Sequence, residues 1–261
     1  MNAMAGRLKD KVAIITGAGQ GIGEATARAF AAEGASVIIA EFSEQTGTAV
    51  ATSLNAQGHR AQFIKTDVSK PEQCRAMVDD TLKIFGRIDV LVNNAGINVF
   101  HDPLSMPEEE WKRCFAVDLE GVWHCTRAVL PGMRAHKKGA VVNIASVHSF
   151  AIIPNTFPYP VAKHGLLGLT RSLGIQYAAD GIRVNAISPG YIETQIAVDY
   201  WNTFDDPGAE RQRTYDMHPP KRIGKPEEVA MTAVFLASDE APFINATAIV
   251  IDGGKSVMYH D

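Results

Sequence analysis

A tyrosine, a lysine and a serine carry the most pointed chemistry in this 261-residue chain. Tyr159 and Lys163 stand four residues apart at the start of an amphipathic stretch whose apolar stripe is Ala162, Leu166, Leu169 and Leu173. That 4-3-4 spacing buries the stripe of a helix and leaves Tyr159 and Lys163 together on a neighbouring face. A phenol titrating near pH ~10 is a poor proton donor or acceptor at neutral pH. An ammonium one turn away favours the phenolate and moves its pKa toward the working range. Ser146, 13 residues upstream at the end of an apolar run, can hydrogen-bond a substrate oxygen and hold it against the phenol. The set predicts proton transfer to or from an alcohol or carbonyl.

A second constellation supplies a partner for that chemistry. Residues 16–23 read Thr16-Gly17-Ala18-Gly19-Gln20-Gly21-Ile22-Gly23, after the apolar run VAIIT and at the head of a helical stretch. Glycines are needed where backbone approaches a pyrophosphate and where a strand turns tightly into a helix, whose N-terminus offers unpaired N–H groups. Glu41 closes the next apolar run, SVIIAE, 18 residues past Gly23. A carboxylate there accepts both ribose hydroxyls of an adenosine and repels a 2′-phosphate. No Arg or Lys stands at 18–20 or 42–43 to neutralise such a phosphate. NAD is therefore expected rather than NADP, and its oxidised nicotinamide adds a positive charge that further favours tyrosinate.

The elements that must position these groups follow from periodicity. Val12–Thr16, Ser36–Glu41, Arg60–Lys65, Ile88–Asn93, Ala140–Ala145, Ile182–Ile187 and Ala246–Ile251 read as strands rich in Val, Ile and Ala. Helices are expected over Gly21–Glu33, Ser43–Gln57, Pro71–Phe85, a long stretch from about Pro107 to Arg134, Pro158–Ala179 and Pro226–Ser238. Near-continuous apolar strands, each followed by a helix, predict a single-domain α/β fold over 1–261: a doubly wound parallel sheet (a Rossmann fold) with helices on both faces. Gly190 to Arg222 breaks the rhythm with Trp201, Phe204, Tyr215 and prolines at 207, 219 and 220. Lying at the carboxyl end of the sheet, where open α/β sheets bind ligands, this insertion reads as a substrate lid at about 190–222.

Composition narrows the partners. At 46% hydrophobic and 21% charged residues, the chain is an ordinary globular protein. A net charge of −4 without a basic block makes nucleic acid and acidic membrane poor partners and leaves a small-molecule substrate. Cys74, Cys114 and Cys125 cannot all pair and lack metal-ligand spacing, so reduced core thiols and no metal are expected. MNAMAGRLKDK lacks an apolar leader core, and no apolar run reaches spanning length, so a cytoplasmic chain is expected.

TGAGQGIG at 16–23, NNAG at 93–96, Ser146, the Tyr159/Lys163 pair, PG at 189–190 with Thr194, and DGG at 252–254 together resemble the short-chain dehydrogenase/reductase family, from about Lys9 to Gly254. The resemblance implies hydride transfer between NAD(P) and an alcohol or carbonyl, usually in a homotetramer. It implies Tyr159 as general acid/base, Lys163 lowering its pKa and binding the nicotinamide ribose, and Ser146 positioning substrate. It further implies Gly17, Gln20, Gly21, Ile22 and Gly23 at the phosphates, and Asp67 and Val68 beside the adenine. Asn93, Asn94, Ala95 and Gly96 would lie near the riboses, with Pro189, Gly190, Ile192 and Thr194 against the nicotinamide.

The chain departs from the family pattern in three places. Asp118 stands where a catalytic asparagine is common; that asparagine is thought to hold a relay water through its main-chain carbonyl, which Asp118 also offers. Pro158 and Pro160 flank Tyr159, which suits a first helical turn. Asn245-Ala246 replaces a common Thr-Gly, a packing change. Asn98, His101, His148, Asn155, Glu193, Trp201 and His218 are candidate pocket residues; of these Asn98, His148, Asn155 and Trp201 are expected to touch the substrate. Polar groups with an aromatic suit a polyhydroxylated substrate. The lid text TFDDP at 203–207 is similar to that of members acting on sugars, among them L-fucose-type dehydrogenases. A sugar or polyol dehydrogenase is expected, with a 3-oxoacyl or small-ketone reductase as the alternative. From another class, a non-catalytic dinucleotide sensor remains, with Asp118 as its symptom.

Overall fold

The computed structural model describes residues 6–259; residues 1–5 and 260–261, the ends of the expected domain and the start of MNAMAGRLKDK, lie outside the described residues. Seven strands form one sheet: β1 (Val12–Thr16), β2 (Ser36–Glu41), β3 (Ala61–Lys65), β4 (Val90–Asn93), β5 (Gly139–Ile144), β6 (Ile182–Pro189) and β7 (Ala248–Ile251). All pairs are parallel, in the order β3-β2-β1-β4-β5-β6-β7. Strand order reverses between β1 and β4, and the crevice at their carboxyl ends is where such sheets take ligands. The expected doubly wound fold is present.

Alternate residues of each strand feed two cores, because side chains alternate across a sheet. Ala13, Ile15, Val37 and Ile39 pack under α1 (Gly21–Ala32), α2 (Glu44–Ala56) and α9 (Pro226–Ala237). Ile14, Ile38, Val141 and Val184 pack under α3 (Pro71–Phe85) and α5 (Gly121–His136), joined by Leu173 and Tyr177 of α6 (Tyr159–Tyr177). Each fully buried Ile or Leu there contributes about 1.5–3 kcal/mol. Cys74, Cys114 and Cys125 are buried free thiols.

Three local differences from the periodicity have physical causes. The long helix is not uniform: α4 (Glu108–Phe115) runs through a π-helical turn, Ala116–Glu120, into α5. The wider turn accommodates Asp118 on the buried side, 0% exposed. The last strand starts at Ala248 because Ala246 adopts φ +58 and leaves the extended region. Asn245 beside it fastens β6 to α6, its Oδ1 accepting from the Val184 N–H (2.9 Å) and its amide donating to the Gly174 carbonyl (2.8 Å). The segment 190–222 folds into two short helices, α7 (Gln195–Trp201) and α8 (Pro207–Asp216). Asp206 caps α8 by accepting from the Ala209 N–H.

Candidate active site

At the carboxyl end of β1 the chain is zipped to β4. The Thr16 hydroxyl accepts from the N–H groups of Asn94 (3.0 Å) and Ala95 (3.1 Å), and the Asn94 amide donates to the carbonyls of Thr16 and Gly17 (both 3.0 Å). Gly17 takes φ +63, disfavoured for a side chain. A Cβ on Gly23 would stand 2.1 Å from the Gly17 carbonyl oxygen. The bare backbone therefore leaves a cradle at the N-terminus of α1 that side chains would fill. Thr194 reaches the same end, 3.4 Å from where a Cβ on Gly21 would lie. Gln20 is the N-cap residue of α1, and its side chain makes no capping bond. Ile22 packs on the core beneath.

Glu41 is aimed at this loop by two backbone donors: its Oε2 accepts from Gly19 N–H and its Oε1 from Ser43 N–H, both at 3.0 Å. Asp67 caps the turn after β3, accepting from the Ser69 N–H (2.9 Å) and hydroxyl (2.6 Å), and Val68 packs on Gly121. Gly190 lies against Asp252, and Ile192 is buried. Cradle, helix terminus and placed carboxylate fit the pyrophosphate and adenosine ribose of a dinucleotide.

Asn93 differs from its expected role. Its side chain is buried and donates to Thr126 Oγ1 (3.0 Å) and Asn143 Oδ1 (2.8 Å), and the Asn143 amide donates to Thr170 Oγ1 (2.9 Å). The side chain thus ties β4 and β5 to α5 and α6 rather than facing a ribose. Asn143 and both threonines escape sequence reasoning, because their partnership exists only across the assembled sheet.

Ser146, Tyr159 and Lys163 come together above the end of β5. Ser146 caps a short turn, its Oγ accepting from the His148 N–H (3.2 Å). Tyr159 opens α6, with Pro160 in the first helical turn, and Lys163 follows one turn on. Lys163 Nζ lies 5.3 Å from the Tyr159 ring centroid, donates to the Ile144 carbonyl (3.3 Å) and reaches Asp118 Oδ1 (3.3 Å). A Cβ on Gly96 would stand 2.8 Å from that same oxygen, so the NNAG turn passes directly over the ion pair. Burial raises the Tyr159 pKa above its usual value; Lys163 and the nearby Ser146 hydroxyl pull it down, while Asp118 pushes it up. Burial works against the Lys163 ammonium, but Tyr159 and Asp118 outweigh it and hold its pKa above the ordinary value.

The Tyr159 ring is gripped edge-on by Phe100 (centroids 5.9 Å apart) and by His148 (5.7 Å). Phe100 reaches it because the loop after β4 pairs with the loop before α6: Phe100 bridges Pro158, and His101 N–H donates to the Phe157 carbonyl (2.7 Å). Nothing in the sequence marked Phe100. His148 is buried, its Nδ1 lacks a partner among the described residues, and burial lowers its pKa. Asn98 and Asn155 are exposed, Asn155 at φ +64. Trp201, also expected to touch the substrate, is 5% exposed, and its indole N–H donates to Thr214 Oγ1 (3.2 Å). It packs the lid from within. His101 turns toward Glu110 (3.8 Å), Glu193 is exposed, and His218 is buried edge-on to Tyr191.

Comparison with known proteins places these features in context. The family model described as enoyl-(acyl carrier protein) reductase matches residues 17–256. A cis-4-hydroxycyclohexanecarboxylate dehydrogenase of Sinomonas cyclohexanicum is 39% identical over 250 residues, 95% of this chain and 98% of the relative. The crystal structure of levodione reductase superposes with a TM-score of 0.92 at 38% identity, covering 96% of this chain and 99% of that one. A gluconate 5-dehydrogenase from Burkholderia cenocepacia J2315, solved with NADP and tartrate, gives 0.90 at 32% identity, covering 99% and 100%.

Proposed function

Because this chain belongs to the short-chain dehydrogenase/reductase family and so is an NAD(P)-dependent oxidoreductase of hydroxyl and carbonyl groups on small substrates, we propose that it oxidises a secondary hydroxyl of a sugar or polyol with NAD, reversibly. The observation that carries the proton-transfer chemistry is the convergence of Ser146, Tyr159 and Lys163 above the end of β5, in the sheet whose β1/β4 switch point holds the glycine cradle, and the TFDDP text of the lid supports the sugar class. Ser146 holds the substrate oxygen, and Tyr159 takes its proton as the hydride leaves the same carbon. Lys163 favours the phenolate through its charge. The nicotinamide, when bound, accepts the hydride. Gly17, Gln20, Gly21, Ile22 and Gly23 would hold the phosphates, Asp67 and Val68 the adenine side, Asn94, Ala95 and Gly96 the riboses, and Pro189, Gly190, Ile192 and Thr194 the nicotinamide.

Glu41 supports NAD over NADP, since its carboxylate is held at the glycine loop, where it would repel a 2′-phosphate. The gluconate dehydrogenase has NADP in its structure, so this assignment rests on Glu41 of this chain. A homotetramer belongs to the same proposal, the edge of β7, unpaired among the described residues, being one surface open to a second copy. No helix among the described residues is long and apolar enough to cross a membrane, and cytoplasmic placement belongs to the same proposal.

A second substrate reading has its own observation. Phe100, Ile152 and Ile153, in the two loops framing Tyr159, are 43%, 64% and 41% exposed. Apolar groups there favour an alicyclic alcohol or ketone, the class named in the Sinomonas relative. Turnover across aldoses, polyols, cyclohexanols and small ketones, with NAD and NADP, followed by reduced-nicotinamide absorbance, decides between them. Aldoses or polyols with NAD are the expected substrates; turnover of cyclohexanols alone would replace that substrate class. Dinucleotide binding without turnover of anything would leave a sensor.

A further inference from the structure

Hydride transfer needs a phenol, an ammonium and a hydroxyl; it does not call for a buried carboxylate. Asp118 is nevertheless fully buried in the π-helical turn, with its Oδ1 3.3 Å from Lys163 Nζ and accepting from the Ile97 N–H (3.3 Å). Its Oδ2 faces the Cys114 thiol at 3.8 Å. Each of these three contacts turns a donor toward the carboxyl. Burial raises the pKa of this carboxyl, and the donors, the Lys163 ammonium first among them, pull it back down and suit the ionised form. Lys163 has three N–H donors. Asp118 and the Ile144 carbonyl occupy two, leaving one for the cleft.

We propose that Asp118 is a positioning residue, an ionised carboxylate that shares the Lys163 ammonium with Tyr159 and so tightens the hold of Tyr159 on its proton. An amide at the same place would orient Lys163 through the same oxygen without opposing its charge. Position 118 therefore sets the pH at which the phenol works, and the carboxylate sets it high. This rests on the reading of Tyr159 as the proton-transfer group. The other groups around the pair leave this balance alone. Burial lowers the His148 pKa and so favours its neutral form, and His164 lowers it further. Burial and Asp118 push the Cys114 thiol up to about 12, so it stays protonated. Arg113 on α4 is spent on a two-point pair with Glu110, toward which His101 also turns.

The test is Asp118→Asn, which keeps shape and the acceptor oxygen. Tyrosinate absorbance in the near ultraviolet, taken as the difference from Tyr159→Phe in the same background, titrates Tyr159 without any substrate. The acid limb of kcat/KM for alcohol oxidation reads the same proton during turnover. Both are expected to move to lower pH by at least about 0.5 unit. A titration that stays put or moves upward would overturn the proposal, as would a rate loss equal at every pH. Absence of turnover in the wild type would instead remove the enzymatic reading, while the ultraviolet titration still judges Asp118. Should the variant not fold, the infrared spectrum of the wild-type chain serves. No protonated-carboxyl band is expected at neutral pH, and a persistent one would overturn the proposal.

Discussion

Replacing Glu41 by Gln removes a charge and one of the two oxygens through which the backbone positions it. Two backbone donors, Gly19 N–H and Ser43 N–H, hold the carboxylate at 3.0 Å each, so its place beside the cradle is fixed before any ligand arrives. For NAD, each ribose hydroxyl donating to a carboxylate contributes about 1.5–3 kcal/mol, against about 0.5–1.5 for a neutral acceptor. Gln keeps one oxygen, so NAD binding should weaken by about 1–2 kcal/mol, roughly 5–30-fold. For NADP the sign reverses. Two like unit charges about 4 Å apart near a protein surface repel by about 4 kcal/mol. Discounting for solvent at the half-buried Glu41, about 2–3 kcal/mol of repulsion is relieved in the variant. The NAD-to-NADP affinity ratio should thus narrow by about a hundredfold or more. Titrating the reduced dinucleotides by nicotinamide fluorescence measures this without a substrate. A wild-type chain that binds both equally, or a ratio that Glu41→Gln leaves unmoved, would refute the reasoning.

Tyr159→Phe keeps the ring between Phe100 and His148 while removing the proton carrier; kcat should fall about a thousandfold, roughly 4 kcal/mol of barrier, with dinucleotide affinity unchanged. Steady-state rates and fluorescence titration check the two halves. Alcohol oxidation needs the phenolate, and the Tyr159 pKa lies above its usual value in the free protein. Its rate should therefore climb with pH through the neutral range, while carbonyl reduction, which needs the phenol, declines only on the alkaline side; a pH–rate profile in both directions tests the sign. Asn143→Ala breaks the link from Asn93 to Thr170 inside the sheet. The stability loss should be about 2–4 kcal/mol, read as a lower urea midpoint with an unchanged slope.

What the sequence discloses and what it hides divide along the range of the interactions. β1, β2 and α3 begin and end where their residues predict, because a buried parallel strand announces itself by an unbroken apolar run and α3 by a proline at its start and a glycine after its end. The glycine turn and the Tyr159/Lys163 pair are legible for the same reason: their geometry is set within one turn of chain. Trp201 misleads because a lone aromatic in an irregular stretch carries no sign of which side it faces; inside the lid it meets Thr214, 13 residues on. Asn93 misleads in the opposite way, its motif pointing to the cofactor while its amide turns to Asn143, 50 residues away.

Asp118 shows why the last part of a site resists sequence reading. As a residue type it reads as a near neighbour of asparagine, with the same length and the same acceptor oxygen. Its consequence depends on a lysine 45 positions later, on a cysteine one helical turn before it and on full exclusion from water. In water a carboxylate 3.3 Å from an ammonium has a modest effect on a third group. Inside the cluster of Val99, Cys114 and Ala162 there is little solvent to screen it. The same one-atom difference, oxygen for nitrogen, then becomes a lever on the phenol proton. Residue identity supplies the charge, but the fold decides how far that charge is felt.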